Sequence, residues 1–336
     1  MAPSSGARWR SGRYKGAGAL RSFLALLAFL ACAAAQAFPT KPVRIIVAFP
    51  PGGGTDIVAR LLAPRLGEAW GQAVIVENRA GASGTVGTEA AARAEPDGHT
   101  LFMATMGNMT ANQHLYPKMA VDPLRAFAPI TKVVDVHFVF VANPSLPANG
   151  VTELIALAKK RPGEIAYSSS GPGGAPHLAM ELFKRRAGVD LAHIPYKGSG
   201  PGMNDLLGGR VMLTMDSLLQ SLPHIKAGRL KALAVLGPKR AALLPEVPTI
   251  AEAAVPGYAL TNWFGLLAPA STPGPVLSQL NADVLRILKQ GDLQTKIAAL
   301  GADVVGNSAE EFGAAMRAES AQWAEIIKAA GIRAEE

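Results

Sequence analysis

The stretch "VRIIVAFPPGGGTDIVARLLAPRL", Val43 to Leu66, decides how this 336-residue chain is read. An apolar run of strand length ends in Pro50 and Pro51, three glycines follow, and a helical pattern begins near Thr55. Glycine lacks a Cβ, so peptide N–H groups approach a ligand closely there. The helix start adds unpaired N–H groups and the positive end of its dipole. Gly53, Gly54, Thr55 and Asp56 are therefore candidates for facing an anion. The bland alternative is a tight strand-to-helix turn with Thr55 as N-cap and Asp56 in the first helical turn. The loop is not a Walker A motif, because no Gly-Lys-Ser/Thr follows, and Ile57 stands where a dinucleotide fingerprint has its third glycine. No nucleotide cofactor is expected.

The first 37 residues are set apart from the fold. Arg8, Arg10, Arg13, Lys15 and Arg21 form a basic leader, "FLALLAFLACAAA" (Phe23 to Ala35) an apolar core, and "AQA" (Ala35 to Ala37) a small-residue end. This is the pattern of a secretory signal peptide cleaved after Ala37, too short for a membrane span. A retained anchor and lipidation at Cys32 are the alternatives, the second disfavoured by bulky Leu30. The leader holds five of the 33 basic residues and none of the 25 acidic ones, so the rest carries 28 against 25 and the net charge falls from +8 to +3. The basic pI is largely a property of the leader, and no nucleic-acid partner is expected. The expected location is the periplasm. Cys32, the single cysteine, leaves with the leader, which excludes thiolate catalysis, zinc–cysteine sites and iron–sulfur clusters.

Strand-like runs of four to seven residues alternate with helical patterns through the remaining chain, which argues for α/β architecture with parallel sheets and right-handed crossovers. Two breaks stand out, "ANPSLPANG" (Ala142 to Gly150) and "EVPTIAEAAVPGYALTNW" (Glu246 to Trp263). If both are crossings, residues 38–142 with 257–336 make one lobe, 143–256 the other, and a cleft lies between them. A single larger sheet is the alternative.

Three further strand–loop–helix junctions repeat the logic of the first. "VENRAGASGTVG" brings Ala82, Ser83 and Gly84 before a helix, with Arg79 either facing a carboxylate or paired to Glu77 or Glu89. "AYSSSGPGGAPHLAMELFKR" offers Ser169, Ser170, Gly171, Gly174 and Ala175 just ahead of a helix. Its serines do not fit the G-x-S-x-G elbow, and His177 has no acidic residue in its turn, so a structural histidine is the better reading. "HIPYKGSGPGMNDLLGGRVMLTMDSL" contains Lys197 and ends an apolar strand at Asp216, a carboxylate that either caps the next turn or faces the cleft. Trp263 and Phe264 wall a pocket or pack a hinge. The six histidines are scattered without i, i+4 spacing, so no metal is expected. Micromolar capture needs about 8 kcal/mol, and four or five charge-assisted hydrogen bonds of roughly 1.5–3 kcal/mol each supply it without catalytic groups. Binding is the economical reading, and no enzyme is expected.

The order of these pieces resembles a known family. The leader is followed by "FPTKPVRIIVAFPPGGGTDIVARLLAPRL", "VIVENRAGASGTVGTEAAARAEPDGHTL", "YSSSGPGGAPHLAMELF", "IPYKGSGPGMNDLLGGRV" with "DS" after it, and "PEVPTIAEAAVPGY". Together they resemble the Bug family, TctC-like extracytoplasmic solute receptors of tripartite tricarboxylate transporters. The resemblance implies a two-lobe, Venus-flytrap periplasmic binding protein, type II-like, each lobe a mostly parallel sheet flanked by helices. It implies a small carboxylate as ligand (a di- or tricarboxylate, acidic amino acid or aromatic acid), an integral-membrane permease as partner, and a monomer. It assigns ligand contact first to Gly53, Thr55, Asp56, Ser169 and Ser170, then to Asp216 and Ala82 to Gly84. Met106 and Met109 stand where relatives often carry small hydroxyl residues, which affects the expected pocket wall. A ligand sensor docking on a signalling receptor, and an exported serine hydrolase using Ser168 to Ser170, are the competing functions.

Overall fold

The computed structural model describes Met1, residues 38–116 and residues 119–332. The expected signal peptide, with Cys32, lies outside the described residues. The described residues from Lys41 to Ile332 form one compact unit.

The chain first builds β1 (Val43–Val47), α1 (Gly54–Trp70), β2 (Val74–Asn78), α2 (Thr85–Ala92) and β3 (Thr100–Thr105). A wide helical turn over Gly107–Ala111 leads into α3 (Asn112–Leu115), α4 (Pro123–Ala126) and the long β4 (Phe127–Val136). The middle segment contributes β5 (Phe138–Ala142), α5 (Val151–Lys160), β6 (Ala166–Ser169), α6 (Ala175–Ala187), β7 (Ala192–Pro195) and α7 (Ser199–Leu207). It continues through β8 (Leu213–Ser217), α8 (Leu218–Lys226), β9 (Lys231–Val235) and α9 (Ile250–Ala253). The last part holds β10 (Asn262–Pro269), α10 (Gly274–Leu288), α11 (Gly291–Ala299), β11 (Ala302–Val304) and α12 (Ala309–Ala330).

Two sheets result, ordered β11-β4-β10-β3-β1-β2 and β7-β6-β8-β5-β9. Parallel pairing holds within β2-β1-β3 and β7-β6-β8, where βαβ crossovers connect the strands. Pairing turns antiparallel at β4, β10 and β11 and on both sides of β5. The sheets are thus mixed, because β10 and β11 in the first and β5 in the second run against the parallel core. β3, β5, β8 and β10 are buried along their whole length, as expected when helices cover both faces. Around β5, the side chains of Val139, Val141, Leu206, Leu218, Leu222 and Val235 close one core cluster. Burying each contributes roughly 1.5–3 kcal/mol relative to exposure.

β4 and β11 are strands that hydrophobic pattern does not reveal. β4 interrupts its apolar residues with Pro129, Lys132 and Asp135, and β11 has three residues. The chain changes sheets at His137, between β4 and β5, so the Ala142–Gly150 loop follows the second sheet's first strand rather than preceding it. On the return, Leu236 N–H donates to Phe138 O and Leu260 N–H to Leu236 O, laying the two connections side by side. That pair of extended segments has the form of a hinge.

Candidate functional site

A small cavity sits where loops of the two sheets meet. It is lined by Phe49, Gly53, Gly54, Thr55 and Thr105, then by Ser170, Ala175, Pro176, Ser199, Asp216 and Ser217, with Phe138, Asn262 and Phe264 completing the wall. About 40 Å³ is open to the centres of water-sized molecules, room for about three waters. No lysine, arginine or histidine lines it.

Four helices begin at this wall. α1 starts after Gly53, α6 after Gly174, α7 after Gly198 and α8 after Ser217, and no side chain caps any of the four. The first helical bond of α1 is Ile57 N–H to Gly53 O, which leaves the N–H groups of Gly54, Thr55 and Asp56 without intrahelical partners. The side-chain caps among the described residues, Asp122, Thr249 and Ser308, serve α4, α9 and α12, away from the cavity. Thr55 is therefore not the cap of α1; the helix begins earlier because Gly53 takes the extended cap conformation.

Glycine is required at two contacts between the sheets. A Cβ on Gly54 would stand 2.8 Å from Ser217 Oγ and 3.0 Å from the Phe264 ring. A Cβ on Gly171, which has φ +115°, would stand 2.6 Å from Ser83 Oγ. Tyr116 adds a hydrogen bond from its hydroxyl to Pro172 O at 2.6 Å.

Of the residues singled out in the sequence, Gly53, Gly54, Thr55, Ser170, Ala175 and Asp216 line the cavity. Asp56 faces away from it. Its carboxylate accepts from Gly52 N–H at 3.0 Å, from Arg60 Nε at 3.0 Å and from Asn78 Nδ2 at 2.9 Å. Burial pushes its pKa up, but the bonds from Arg60, Gly52 and Asn78 outweigh that and hold it below the usual value. Asp56 thus braces the glycine turn from behind. Ser83 and Gly171 meet each other rather than the cavity, and Ala82 and Gly84 shape the turn that brings Ser83 there. Gly174 is the cap residue of α6, its N–H donating to Gly171 O at 3.1 Å.

Ser169 is also turned away. Its Oγ accepts from Gly171 N–H at 3.1 Å and lies 2.7 Å from His193 Nε2. The His193 ring is stacked between those of Tyr167 and His177. His177 Nδ1 accepts from Gly173 N–H at 3.1 Å, the structural role read from the sequence. This aromatic stack supports the serine loop from below.

Asp216 lines the cavity and does not cap α8; its Oδ1 accepts from the neighbouring Ser217 N–H at 2.6 Å and from Ser199 Oγ at 3.2 Å. Burial pushes its pKa up to about 6 against those two bonds. Phe264 walls the cavity, whereas Trp263 packs behind it and donates from Nε1 to Glu319 at 2.8 Å. Met106 and Met109 are fully buried in the core and absent from the wall, where Thr105 stands instead. Arg79 pairs with Glu77 at 2.6 Å. Phe49, Phe138, Ser199, Ser217 and Asn262 went unnoticed in the sequence; Ser217 alone had a signal, following Asp216 at a strand end.

A wider groove of about 630 Å³ runs past Lys132, His137, Lys239, Trp263 and Glu319. It gathers none of the glycine or serine loops. Among the described residues, no group of three or more His, Cys, Asp or Glu side chains is placed to hold a metal. No helix among them is long and apolar enough to cross a membrane.

Known proteins resemble this chain in sequence and fold. The model of the tripartite tricarboxylate transporter family receptor matches residues 58–332. Protein BugT of Bordetella pertussis is 37% identical over 312 residues, covering 93% of this chain and 96% of the relative. A solved structure of Rpa4515 from R. palustris with adipate is 39% identical, with a TM-score of 0.86 over 88% of this chain and 99% of the other. MatC from Rhodopseudomonas palustris, solved with bound malate, is 31% identical, with a TM-score of 0.83 over 86% of this chain and all of the other.

Proposed function

This chain belongs to the tripartite tricarboxylate transporter receptor family, and from that premise we propose that it captures a small carboxylate in the periplasm and delivers it to the integral-membrane permease of such a transporter. The lobes meet this role as 41–136 with 262–332 on one side and 138–258 on the other, since Ala241, Leu244 and Val247 pack with Val139 and Val235 and Tyr258 bonds Ala179 O; the chain crosses at His137 and again near Leu260. The observation that carries the reading is the convergence of four uncapped helix starts on one cavity without a basic side chain. Such a site balances an anion by peptide dipoles and hydroxyls.

In this reading one carboxylate of the guest takes the free N–H groups of Gly54 and Thr55 together with the Ser170 hydroxyl. Bound adipate and malate in related structures support an organic acid as guest. The cavity as it stands holds a few waters, so the guest enters with the lobes parted and they close over it. Each charge-assisted hydrogen bond contributes roughly 1.5–3 kcal/mol, so a handful of them suffices for micromolar capture. The Ser169–His193 contact does not favour a hydrolase, because the serine is pinned by Gly171 N–H outside the cavity wall.

Thermal-shift screening against mono-, di- and tricarboxylates tests the reading. A ligand that binds only the folded state raises the melting temperature by mass action. Stabilisation by at least one acid at millimolar concentration is expected, and no shift from any of them refutes carboxylate capture.

A further inference from the structure

Peptide N–H groups at the starts of α1, α6, α7 and α8 give the cavity its donors. Among them stand acceptors that the protein leaves unserved. Both hydrogen bonds to Asp216 end on Oδ1, so among the described residues Oδ2 has no donor. Asn262 is 2% exposed, and its Oδ1 has no partner; Ser217, also 2% exposed, has an unpartnered Oγ. All three residues line the cavity, and no cationic side chain joins them. A buried acceptor without a donor is costly, and a buried carboxylate more so.

We propose that the guest itself supplies the missing donor: the site selects carboxylic acids that carry a hydroxyl or ammonium group, which Asp216 and Asn262 accept from. This inference rests on the carboxylate-capture reading above and narrows it to hydroxy and amino acids. A plain dicarboxylate satisfies the peptide N–H groups but brings no donor for the Asp216 and Asn262 oxygens. If its second carboxylate turns toward Asp216, two like charges face each other where little water screens them. A hydroxyl or ammonium pairs the stranded oxygens at no such cost. Sites built to hydrogen-bond a ligand OH or NH reject the analogue that lacks it far more strongly than apolar pockets reject an extra methylene.

Isothermal titration of the full exported chain at pH 8 tests this with matched acids: succinate, malate and aspartate; glutarate, 2-hydroxyglutarate and glutamate; propionate, lactate and alanine. In any set that binds, the hydroxy or amino member is expected to bind at least about tenfold tighter than its unsubstituted parent. Asp216→Asn is expected to narrow that margin at least about threefold, chiefly by weakening the hydroxy and amino members. A parent acid that binds as tightly as its substituted partners overturns the inference and leaves carboxylate capture standing. So does a margin that Asp216→Asn does not move. Silence from every acid overturns carboxylate capture and this inference with it. Should the variant not fold, the margin in the unmodified protein decides.

Discussion

The Tyr116 hydroxyl donates to the Pro172 carbonyl oxygen at 2.6 Å, joining the segment after β3 of one sheet to the loop after β6 of the other. It is a fastening that exists only while the loops of the two sheets are together, and it lies outside the cavity wall.

Tyr116→Phe removes that bond with little change in volume. A neutral hydrogen bond nets about 0.5–1.5 kcal/mol, so ligand affinity is expected to fall about two- to tenfold. The loss should appear in the dissociation rate, where most affinity differences between related complexes reside. Stopped-flow release of a bound acid checks it. An unchanged release rate shows that Tyr116 does not hold the closed form.

Gly54→Ala tests the close approach between α1 and the end of β8. The new methyl would stand 2.8 Å from Ser217 Oγ of the other sheet, so the two must move apart before it fits; the Phe264 ring, 3.0 Å away, lies on the same sheet as β1. Overpacking of this kind costs typically about 1–3 kcal/mol. The Ser217 share falls on closure, so binding should weaken by about tenfold or more, beyond any loss of stability that the Phe264 contact causes in the ligand-free protein. An equal loss of stability without ligand would mean that the contact is permanent.

Asp216 gives the protein a pH dependence opposite to ordinary acid denaturation. Its folded pKa of about 6 lies above the value of about 3.9 in an unfolded chain, so the folded state holds the proton more tightly. The associated stability is whole below about pH 4 and is lost as pH rises through about 6, up to roughly 3 kcal/mol. Asp216→Asn abolishes this decline. Urea denaturation of both proteins at pH 5 and pH 8 checks it; the variant should gain relative to the parent at pH 8, and parallel behaviour at both pH values contradicts the assignment.

Glu319 anchors α12 to β10 by accepting from Trp263 Nε1 at 2.8 Å and from Thr110 Oγ1 at 2.9 Å, while Trp263 meets Phe312 edge-on. Glu319→Ala leaves the indole N–H without its acceptor, at an expected cost of about 1–3 kcal/mol. Chemical denaturation followed by tryptophan emission measures it, and a change below about 0.5 kcal/mol would show that water replaces the carboxylate freely.

The junctions were legible in the sequence because glycine, proline and serine between a strand pattern and a helix pattern have few other uses. Gly53, Gly54, Thr55, Ser170 and Ala175 were found in this way, and all line the cavity. Which side of a loop a side chain takes was not legible. Asp56 and Ser169 sit in the right loops, yet their side chains serve Gly52, Arg60, Asn78 and His193. Phe138 and Asn262 were invisible for another reason: each begins a strand that enters its sheet far along the chain, and only tertiary pairing carries it to the wall. The long β4 was hidden by Pro129, Lys132 and Asp135, tolerated because Pro129 lies outside the β11 pairing and Lys132 pairs with Asp135 at 2.8 Å.

The uncapped starts of α1, α6, α7 and α8 have an evolutionary consequence. Among point mutations only a change to proline deletes a main-chain N–H, so in the proposed function the means of attracting an acid is largely inherited with the fold itself. What remains open to change is the ring of side chains around it, Phe49, Phe138, Asn262 and Phe264 among them. On that proposal a lineage can exchange one acid for another by a few substitutions around an unchanged main-chain cradle.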